Sequence, residues 1–343
     1  MFIILSLKKE KIKMIIAEVG MAHDGNINIA HSFIDALANT GVDVVKFQTH
    51  IAEEESSKYE EFRVKFSHKD KTRFDYWKRT EFSFNEWKEL KNHVEELNME
   101  FMSTATCVAS FELLEELGVK RYKVGSGDTF NLLLLERIAD TGKPIIISNG
   151  MTDIKELDKT IKFMKAKKND ITLLQCYTSY PTMPEHWNLN QIPILMDRYK
   201  IPVGFSDHSG DIFSSLAATA LGAQVIEFHV CFDKRMFGPD STSSLTIDQV
   251  KNAVVGIRDI RESLNSKKVD KNKKKMKKIK NIFGKSIALK CDKDAGTIIS
   301  LNDLESKKPS KKGIPTNEFT KILGKKIKHK MKKGAFLNYK DIQ

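Results

Sequence analysis

Short apolar runs alternate with longer amphipathic segments along the first 265 residues. Most of the runs have four to seven residues rich in Val, Ile, Leu and Phe, which is typical of parallel strands buried on both faces. The predicted strands are Met14–Glu18, Asp43–Thr49, Glu100–Thr104, Arg121–Val124, Pro144–Ser148, Thr172–Cys176, Pro202–Phe205 and Gln224–His229. Between them, apolar residues recur at helical spacing. The predicted helices are Ile27–Asn39, Asn85–Leu97 (with an Asn cap), Phe111–Leu117, Leu132–Ala139, Ile154–Lys165, Phe213–Leu221 and Ile247–Leu264.

Eight strand–helix units in about 250 residues match the size of a (β/α)₈ TIM barrel. A doubly wound parallel sheet is the structural alternative, which the strand number alone does not exclude. One interval is too long for a simple connection. Residues 50–84 contain no strand pattern and are rich in charged and aromatic side chains. We predict an insertion after the second strand, at the end of the barrel where long loops shape substrate sites.

The last quarter of the chain changes character. Residues 266–281 are rich in lysine and predict a linker or a frayed helical extension. Beyond them, short β-like pieces at Lys285–Leu289, Thr297–Ser300 and Phe336–Asn338 lie among Gly and Pro turns. We therefore predict an N-terminal extension (1–13), a barrel (14–265), a linker (266–281) and a small β-rich domain (282–343).

Composition narrows the class of protein. The chain is 41% hydrophobic and 30% charged, as in a soluble globular protein, which excludes a mostly disordered chain or a membrane channel. The apolar run Phe2–Leu5 is far shorter than the roughly 20 residues of a spanning helix and lacks the features of a signal peptide. The four cysteines lie 55 to 69 residues apart, without metal-knuckle or CxxC spacing. We expect reduced thiols, a cytoplasmic protein and no membrane partner.

The net charge of +12 is distributed unevenly. Residues 266–343 contain 24 Lys and 7 acidic residues and carry +17, which leaves −5 for residues 1–265. An acidic large part followed by a basic small part does not favour a nucleic-acid partner. Polyanion binding through the lysine-rich tail is kept as the non-enzymatic alternative.

Polar side chains concentrate where the predicted strands end. In a TIM barrel these positions face the active site, and Lys, Glu and His within apolar strands are costly to bury unless they are paired or used. The residues at or just after strand ends include Glu18, Lys46, Gln48, Thr104, Lys123, Ser126, Asp128, Ser148, Gln175, Ser206, His208, Glu227 and His229. Their recurrence on successive strands, always at the same end, favours a functional site over isolated core polar groups.

Two kinds of chemistry are indicated. His208 and His229 are 21 residues apart, so they would lie on neighbouring strands and could share a divalent cation. Lys46 and Lys123, together with nearby serine hydroxyls, supply the donors that a phosphate or carboxylate needs. A Schiff-base aldolase is the rival chemistry, because it needs one desolvated lysine within a strand.

Several motifs together resemble the sialic acid (N-acetylneuraminate) synthase family, which includes the legionaminic and pseudaminic acid synthases. The motifs are IIAEVGMAHDG (15–25), VVKFQTH (44–50), YKVGSGD (122–128), PIIISNGM (144–151), LLQC and YPT (173–182), VGFSDHS (203–209), and VIEFHV and GPD (225–240). The tail resembles the antifreeze-like SAF domain of the family, with GKSIALKCDKDAGTIISLNDLESKKP (284–309) and LGKKIKHKMKKGAFLNYKDI (323–342). The resemblance runs from about residue 14 to residue 341, in order.

The resemblance implies an α/β fold, a (β/α)₈ TIM barrel followed by a small β-clip SAF domain. It implies a domain-swapped homodimer in which the small domain covers the partner's barrel. The reaction would condense phosphoenolpyruvate with an N-acyl hexosamine aldehyde, such as N-acetylmannosamine or a diacetamido sugar, and water. The products would be a nonulosonic acid and phosphate, and a divalent metal, Mn²⁺ or Mg²⁺, would be needed.

The resemblance also implies roles for particular residues. His208 and His229 match the metal ligands. The phosphoenolpyruvate-binding positions are Lys46, Lys123, Ser126, Ser148 and Ser206. The sugar-binding positions are Glu18, Gln48, Tyr180, Asp240 and Lys308. The catalytic set would be Glu18, Lys46, Lys123, Asp128 and Glu227, with Asp128 orienting the attacking water.

One departure from the family pattern concerns the sugar. Lys308 stands where the family has an arginine that contacts the acylamino group, and a lysine does not reproduce a guanidinium fork. A related condensation with a different aldose, possibly phosphorylated, is therefore kept as an alternative. The insertion offers cations for an acceptor phosphate at Arg63, Lys65, Lys69, Lys71 and Arg73, although a solvated charged loop is the simpler interpretation.

Overall fold

The computed structural model describes residues 13–266 and 273–343. The chain divides into two compact units, residues 1–265 and 266–343. Each unit has its own hydrophobic core. The predicted N-terminal extension, apart from Lys13, and residues 267–272 of the predicted linker lie outside the described residues.

The first unit is a closed parallel barrel. Within residues 13–266, its eight strands are β1 (Met14–Gly20), β2 (Val44–Thr49), β3 (Glu100–Ala105), β4 (Tyr122–Val124), β5 (Ile145–Ser148), β6 (Ile171–Gln175), β7 (Val203–Asp207) and β8 (Val225–Cys231). Neighbours along the chain pair in order, and β1 also pairs with β8, where Ile16 lies opposite Glu227. This closure confirms the TIM barrel, and the doubly wound alternative is wrong. A two-residue strand, β9 (Leu245–Thr246), adds to the end of β8.

Helices surround the barrel. They are α1 (Ile27–Ala38), α2 (Ala52–Glu55), α3 (Arg73–Thr80), α4 (Phe84–Glu96), α5 (Val108–Glu116), α6 (Leu132–Asp140), α7 (Ile154–Ala166), α8 (Gln191–Tyr199), α9 (Phe213–Ala220) and α10 (Ile247–Asn265). All seven predicted helices are present with small changes at their ends. The predicted Asn cap of α4 is wrong, because Ser83 caps the helix and forms a reciprocal capping box with Glu86. Helix α8 was not predicted; it contains Pro193, which the first helical turn tolerates because its amide needs no intrahelical partner.

The barrel interior explains where the polar side chains point. Its lower layers are filled by a cluster of apolar residues: Met14, Ile16, Val44, Met102, Ile146, Leu174 and Val225. Side chains two residues apart on a strand share a face. The positions that follow Ile16, Val44 and Ile146 by two are therefore also directed inward, one layer closer to the C-terminal end. They are occupied by Glu18, Lys46 and Ser148, so the apolar plug supports a polar layer above it.

The insertion between β2 and α4 is folded upon a small core of its own. Residues 50–84 form α2 and α3 and, as predicted, include no strand among these described positions. Ala52, Tyr76 and Trp77 pack with Met21 of the barrel, and three phenylalanines cover them. The aromatic residues that marked the insertion in the sequence therefore attach it to the barrel.

The second unit, residues 266–343, is small and β-rich. Helix α11 (Lys273–Phe283) covers most of the predicted lysine-rich linker. Strands β10 (Ser286–Leu289) and β11 (Leu304–Lys307) pair antiparallel. The predicted β-pieces at 297–300 and 336–338 make single bridges rather than strands, because a glycine at positive φ turns the chain just before each and a 3₁₀ turn follows. Within the described residues, no helix is long and apolar enough to cross a membrane.

Candidate active site

A cavity of about 580 Å³ opens at the C-terminal end of the barrel. Polar side chains from the strand ends form its floor, and residues of the insertion form part of its wall. Of the site residues predicted within the first unit, all line this one cavity: Glu18, Lys46, Gln48, Lys123, Ser126, Asp128, Ser148, Tyr180, Ser206, His208, Glu227, His229 and Asp240. The barrel therefore brings together groups that are up to 222 positions apart in the chain.

Four buried charges form the floor of the cavity. Lys46 Nζ lies 2.7 Å from Glu18 Oε2 and 3.8 Å from Glu227 Oε1, and Lys123 Nζ lies 3.7 Å from the same Glu227 oxygen. All four side chains are at most 6% exposed. Burial of this kind is stable only when charges are paired, as they are here. The two ammonium groups therefore lie on either side of a shared carboxylate at the base of the cavity.

Hydroxyl groups complete the floor. Lys123 Nζ donates to Ser148 Oγ at 2.7 Å, and Lys46 Nζ donates to Thr104 Oγ1 at 3.2 Å. Ser206 Oγ donates to Glu227 Oε1 at 3.3 Å. Ser126 Oγ accepts from the amide of Gly150 at 3.0 Å, which fixes the loop after β4 against the loop after β5. The floor therefore presents two ammonium groups and several hydroxyl groups as hydrogen-bond donors for a small anion.

Burial and pairing shift the acid–base properties of these groups. Burial raises the pKa of Glu18 to about 7, although Lys46 opposes the shift. Burial alone would lower the pKa of Lys46, but the carboxylates of Glu18 and Glu227 raise it instead. Burial lowers the pKa of Lys123. The neighbouring lysines hold the pKa of Glu227 below its usual range despite its burial. Of the two carboxyl groups in the floor, Glu18 is thus the one closer to changing its charge near neutral pH.

His208 and His229 lie side by side at one edge of the cavity. Their ring centroids are 5.3 Å apart, and burial lowers the pKa of each to about 3, so both imidazoles are neutral and can act as metal ligands. The Glu227 Oε2 atom is buried and has no hydrogen-bond partner within the described part of the chain. In those residues, no group of three or more His, Cys, Asp or Glu side chains is arranged to hold a metal ion. The two imidazoles therefore fit a cation whose other ligands are oxygens of water or substrate.

Aromatic and charged groups from the insertion lie opposite the floor. The guanidinium of Arg63 stacks 4.0 Å from the centre of the Tyr180 ring. It also donates to Asp240 Oδ1 at 2.6 Å and to the carbonyl of Pro239 at 3.0 Å. Asp240 in turn lies 3.9 Å from His229 Nδ1. One arginine thus joins the insertion to two predicted sugar-binding residues.

Comparisons with known proteins identify the relatives of this site. The NeuB family matches residues 33–269, and the SAF domain matches residues 285–343. The chain belongs to the NeuB family. The resemblance to the sialic acid synthases that the motifs predicted is confirmed.

Similar proteins carry names of the same enzyme class. An N,N'-diacetyllegionaminic acid synthase of Campylobacter jejuni is 37% identical over 318 residues, covering 91% of this chain and 95% of that protein. An N-acetylneuraminate-9-phosphate synthase of Mus musculus is 33% identical, covering 91% and 88%. A crystal structure of an N-acetylneuraminic acid (sialic acid) synthetase from Leptospira borgpetersenii has a TM-score of 0.69 and 31% identity, covering 79% and 91%.

This NeuB-family site also contains residues that the sequence interpretation did not assign to it. Arg63 was considered only as a possible cation for a phosphorylated acceptor, yet it contacts Tyr180 and Asp240 directly. Met21, Phe62 and Trp77 line the cavity and were assigned no role. The signal available in the sequence was the concentration of aromatic residues in the insertion, which does not reveal which of them face the site.

Asp128 and Lys308 are predicted site residues that belong to different units of the chain. Asp128 lines the cavity and accepts a hydrogen bond from Asn131 Nδ2 at 3.1 Å, and burial raises its pKa. Lys308 belongs to the second unit, where its Nζ lies 5.3 Å from the centre of the Phe283 ring. A role for Lys308 in sugar binding therefore stays a prediction.

Proposed function

We propose that this NeuB-family protein condenses phosphoenolpyruvate with an N-acyl hexosamine and water to give a nonulosonic acid and phosphate. C3 of phosphoenolpyruvate forms the new bond to the aldehyde carbon of the open-chain sugar. Water adds at C2, and the phosphate leaves from the same carbon. The observation that carries the proposal is the floor of two buried lysines and hydroxyl groups beside two neutral histidines.

Phosphoenolpyruvate would occupy the floor. Lys46, Lys123, Ser126, Ser148 and Ser206 supply cationic and hydroxyl donors for its phosphate and carboxylate. All of them except the half-buried Ser126 have low exposure, which strengthens their interactions because water does not screen them. As the π electrons of C3 move towards the aldehyde, positive charge develops at C2, and the carboxylate of Glu227 lies among the two lysines where it offsets that charge.

The contacts of Lys123 support a cationic role rather than a Schiff base. Its Nζ donates to Ser148 Oγ at 2.7 Å and to its neighbour's carbonyl, that of Val124, at 3.2 Å. The Glu227 carboxylate lies 3.7 Å away. An ammonium group can donate to both oxygens and still face the carboxylate, and that carboxylate opposes the lowering of the Lys123 pKa by burial.

His208 and His229 would hold a divalent cation, Mn²⁺ or Mg²⁺, which when bound polarises the carbonyl oxygen of the acceptor. Tyr180 packs against both rings, at 4.3 and 5.9 Å between centroids, and limits how they can turn. His208 Nδ1 also lies 3.2 Å from the carbonyl of Tyr177, which leaves Nε2 as the nitrogen free for the cation.

Asp128 would orient the attacking water. It lies in the 3₁₀ turn after β4, at the cavity wall and next to the serine donors. Its raised pKa, caused by burial, makes its carboxylate a better proton acceptor than an exposed aspartate. As C2 gains positive charge, the water that Asp128 holds would lose its proton to this carboxylate.

The acceptor sugar would be unphosphorylated. Two relatives differ on this point, since one is named a legionaminic acid synthase and another a 9-phosphate synthase. The cations at the sugar end of this cavity already have partners: Arg63 pairs with Asp240 at 2.6 Å, and Arg73 pairs with Glu60 at 3.1 Å. A phosphate there would have to displace a carboxylate. Lys65, Lys69 and Lys71 do not line this cavity, while Phe62, Phe66 and Trp77 offer apolar surface for acetyl methyl groups.

We also propose that the protein acts as a domain-swapped homodimer with a partner's SAF domain over each barrel. The support is an exposed apolar surface at the C-terminal end of the barrel, beside the cavity. Leu132 and Leu133, at the start of α6, are 51% and 81% exposed, and Met151, which lines the cavity, is 61% exposed. Exposed apolar residues concentrated in one region are typical of a protein interface.

The test is a substrate panel. Purified full-length protein is incubated with phosphoenolpyruvate, Mn²⁺ and either N-acetylmannosamine, a 2,4-diacetamido-2,4,6-trideoxyhexose or N-acetylmannosamine 6-phosphate, and phosphate release and product mass are measured. We expect turnover with at least one unphosphorylated N-acyl sugar and loss of turnover when EDTA removes the metal. Turnover only with N-acetylmannosamine 6-phosphate would overturn the unphosphorylated acceptor, and absence of phosphate release with all three sugars would overturn the proposed condensation.

A further inference from the structure

A chain of hydrogen bonds runs from the insertion into the catalytic floor. Glu55, at the end of α2, lies 2.6 Å from Nδ1 of His50. Nε2 of the same ring lies 3.2 Å from Gln48 Oε1, and Gln48 Nε2 donates to Glu18 Oε1 at 2.7 Å. Glu18 then meets Lys46 at 2.7 Å. Five side chains thus connect a surface insertion to the buried charges.

Glu18 decides the orientation of the Gln48 amide. In its ionised form, paired with Lys46 at 2.7 Å, Glu18 only accepts hydrogen bonds, so the NH₂ group of Gln48 must face it. The Gln48 carbonyl oxygen therefore points away from the floor and towards His50. An oxygen at that position requires a donor, so Nε2 of His50 must carry a proton.

Glu55 then decides what His50 does on its other side. The Glu55 carboxylate is also an acceptor, and 2.6 Å is a distance for a charge-assisted hydrogen bond. The ring therefore donates from both nitrogens. Without Glu55, the proton of a neutral imidazole could sit on Nδ1, and Nε2 would then present a lone pair to the Gln48 oxygen. The Glu55 carboxylate thus keeps Nε2 available as the donor to the Gln48 oxygen.

The surroundings of His50 hold its ring in place but keep it away from the substrate. The ring stacks on Trp77 with centroids 3.8 Å apart and planes inclined by 14°. Its side chain is 8% exposed and that of Glu55 is 9% exposed. Gln48, Glu18 and Trp77 line the cavity, whereas His50 and Glu55 do not. An influence of His50 on the reaction must therefore pass through Gln48 or through the stacked Trp77 ring.

We propose that the His50–Glu55 pair positions Gln48, and through it Glu18, for the acceptor sugar. This inference rests on the proposed function, since it concerns the sugar side of the same cavity. With the pair in place, the amide of Gln48 is held in one orientation and Glu18 keeps one oxygen aligned. Without it, the Gln48 oxygen loses its donor, so Glu18 alone holds the amide and the side chain can turn away from this alignment. The lost alignment would appear as weaker sugar binding.

The test is a double-mutant cycle between His50 and Gln48 on the full-length enzyme. His50→Phe keeps the stacking on Trp77 and removes both donors, and Gln48→Leu removes the amide. We expect His50→Phe to raise the KM for the sugar about tenfold, as expected for loss of a hydrogen bond to a charged network. We expect the KM for phosphoenolpyruvate to stay unchanged. In the Gln48→Leu background His50→Phe should have no further effect, whereas equal effects in both backgrounds would overturn the proposal.

Two further variants distinguish a positioning role of His50 from an effect on the stability of the protein. His50→Gln, which restores a donor towards the Gln48 oxygen, should recover most of the sugar KM. The matched control is His31→Phe, which breaks another histidine–glutamate pair, His31–Glu89 at 3.0 Å, on the outer helices α1 and α4. We expect the control to leave both KM values unchanged. If it raised the sugar KM as much as His50→Phe does, the effect would be one of stability and the proposal would be wrong.

An NMR measurement tests the role of His50 without relying on enzyme turnover. In protein labelled with ¹⁵N-histidine, the ring signals of His50 are assigned by their absence from His50→Phe. We expect Nε2 to carry a proton, because it faces the Gln48 oxygen, and a ring that is protonated on Nδ1 alone would overturn the proposal. Absence of turnover with every acceptor would count against the proposed function, whereas this ring spectrum tests the positioning pair independently.

Discussion

The two ends of the cavity are built in different ways. The floor consists mainly of side chains on β1, β2, β3, β4, β5, β7 and β8, which the barrel fixes and buries almost completely. The sugar end consists of loop residues, where Arg63 of the insertion is 35% exposed and contacts Tyr180 from a different loop. The floor recognises groups that all phosphoenolpyruvate condensations share, whereas the loops are the part that can change with the acceptor.

The two ends of the cavity also differ in how their charged side chains are paired. At the floor, two lysines and two glutamates share contacts, so removing one leaves others buried and unpaired. At the sugar end, each arginine has one carboxylate partner near solvent, and such pairs contribute less. The difference predicts large effects from changes in the floor and moderate, substrate-specific effects at the sugar end.

Lys123→Met should have the largest effect. The variant removes a cation from the phosphoenolpyruvate site and leaves Glu227 and Ser148 without one of their partners. We expect kcat/KM for phosphoenolpyruvate to fall about 10³-fold, comparable with loss of a preorganised donor in other enzymes. Steady-state kinetics at saturating sugar and Mn²⁺ give the value.

A matched control for that change is Lys143→Met. Lys143 pairs with Glu115 on the outside of the barrel, and its side chain is 27% exposed. Kinetics within twofold of the wild type are expected for it. A similar fall in both variants would mean that Lys123 acts through stability, and the assignment of the floor would be incorrect.

The same contrast explains what the sequence could predict. The floor was predicted because a strand has a period of two, so Glu18, Lys46 and Ser148 follow inward apolar residues at fixed positions. The chain order of the strands then sets which side chains meet. Arg63 could not be placed in this way, because its position depends on how residues 50–84 fold upon Tyr76 and Trp77. Helix α8 was missed because Pro193 interrupts the helical pattern, although the first helical turn tolerates it. The β-pieces of the second unit form single bridges because glycine turns and 3₁₀ turns end them early.

Arg63→Ala should have a moderate effect confined to the sugar. Loss of the guanidinium frees Asp240 and removes the group that stacks on Tyr180. We expect the KM for the sugar to rise about tenfold, in line with the loss of a charge-assisted hydrogen bond, while the KM for phosphoenolpyruvate stays the same. Arg63→Lys should recover little, because a lysine lacks the planar fork.

Arg198→Ala provides the comparison for this change. Arg198 pairs with Asp158 at 2.5 Å, and both side chains are well exposed on outer helices. It should behave as the wild type does, since exposed pairs contribute little. If Arg63→Ala instead raised both KM values equally, the insertion would serve the whole cavity and the distinction between its two ends would fail.

The smallest effect we expect is a pH dependence of kcat/KM for the sugar. It would arise from Glu18, a floor residue that also contacts the predicted sugar-binding residue Gln48. Burial raises the pKa of Glu18 to about 7, so the carboxyl is mostly protonated at pH 6 and mostly ionised at pH 8. The ionised form accepts from Gln48 and, in the proposed site, would accept from a sugar hydroxyl. The kcat/KM for the sugar should therefore rise several-fold between pH 6 and 8 and level off above, by the ordinary ratio of the two protonation states. Glu18→Gln should abolish this rise.

The profile is measured at constant ionic strength with saturating phosphoenolpyruvate and Mn²⁺. A kcat/KM for the sugar that stays level in the wild type between pH 6 and 8 would contradict the prediction. It would show that Lys46 keeps Glu18 ionised throughout, so that the charge of the floor does not affect the sugar end.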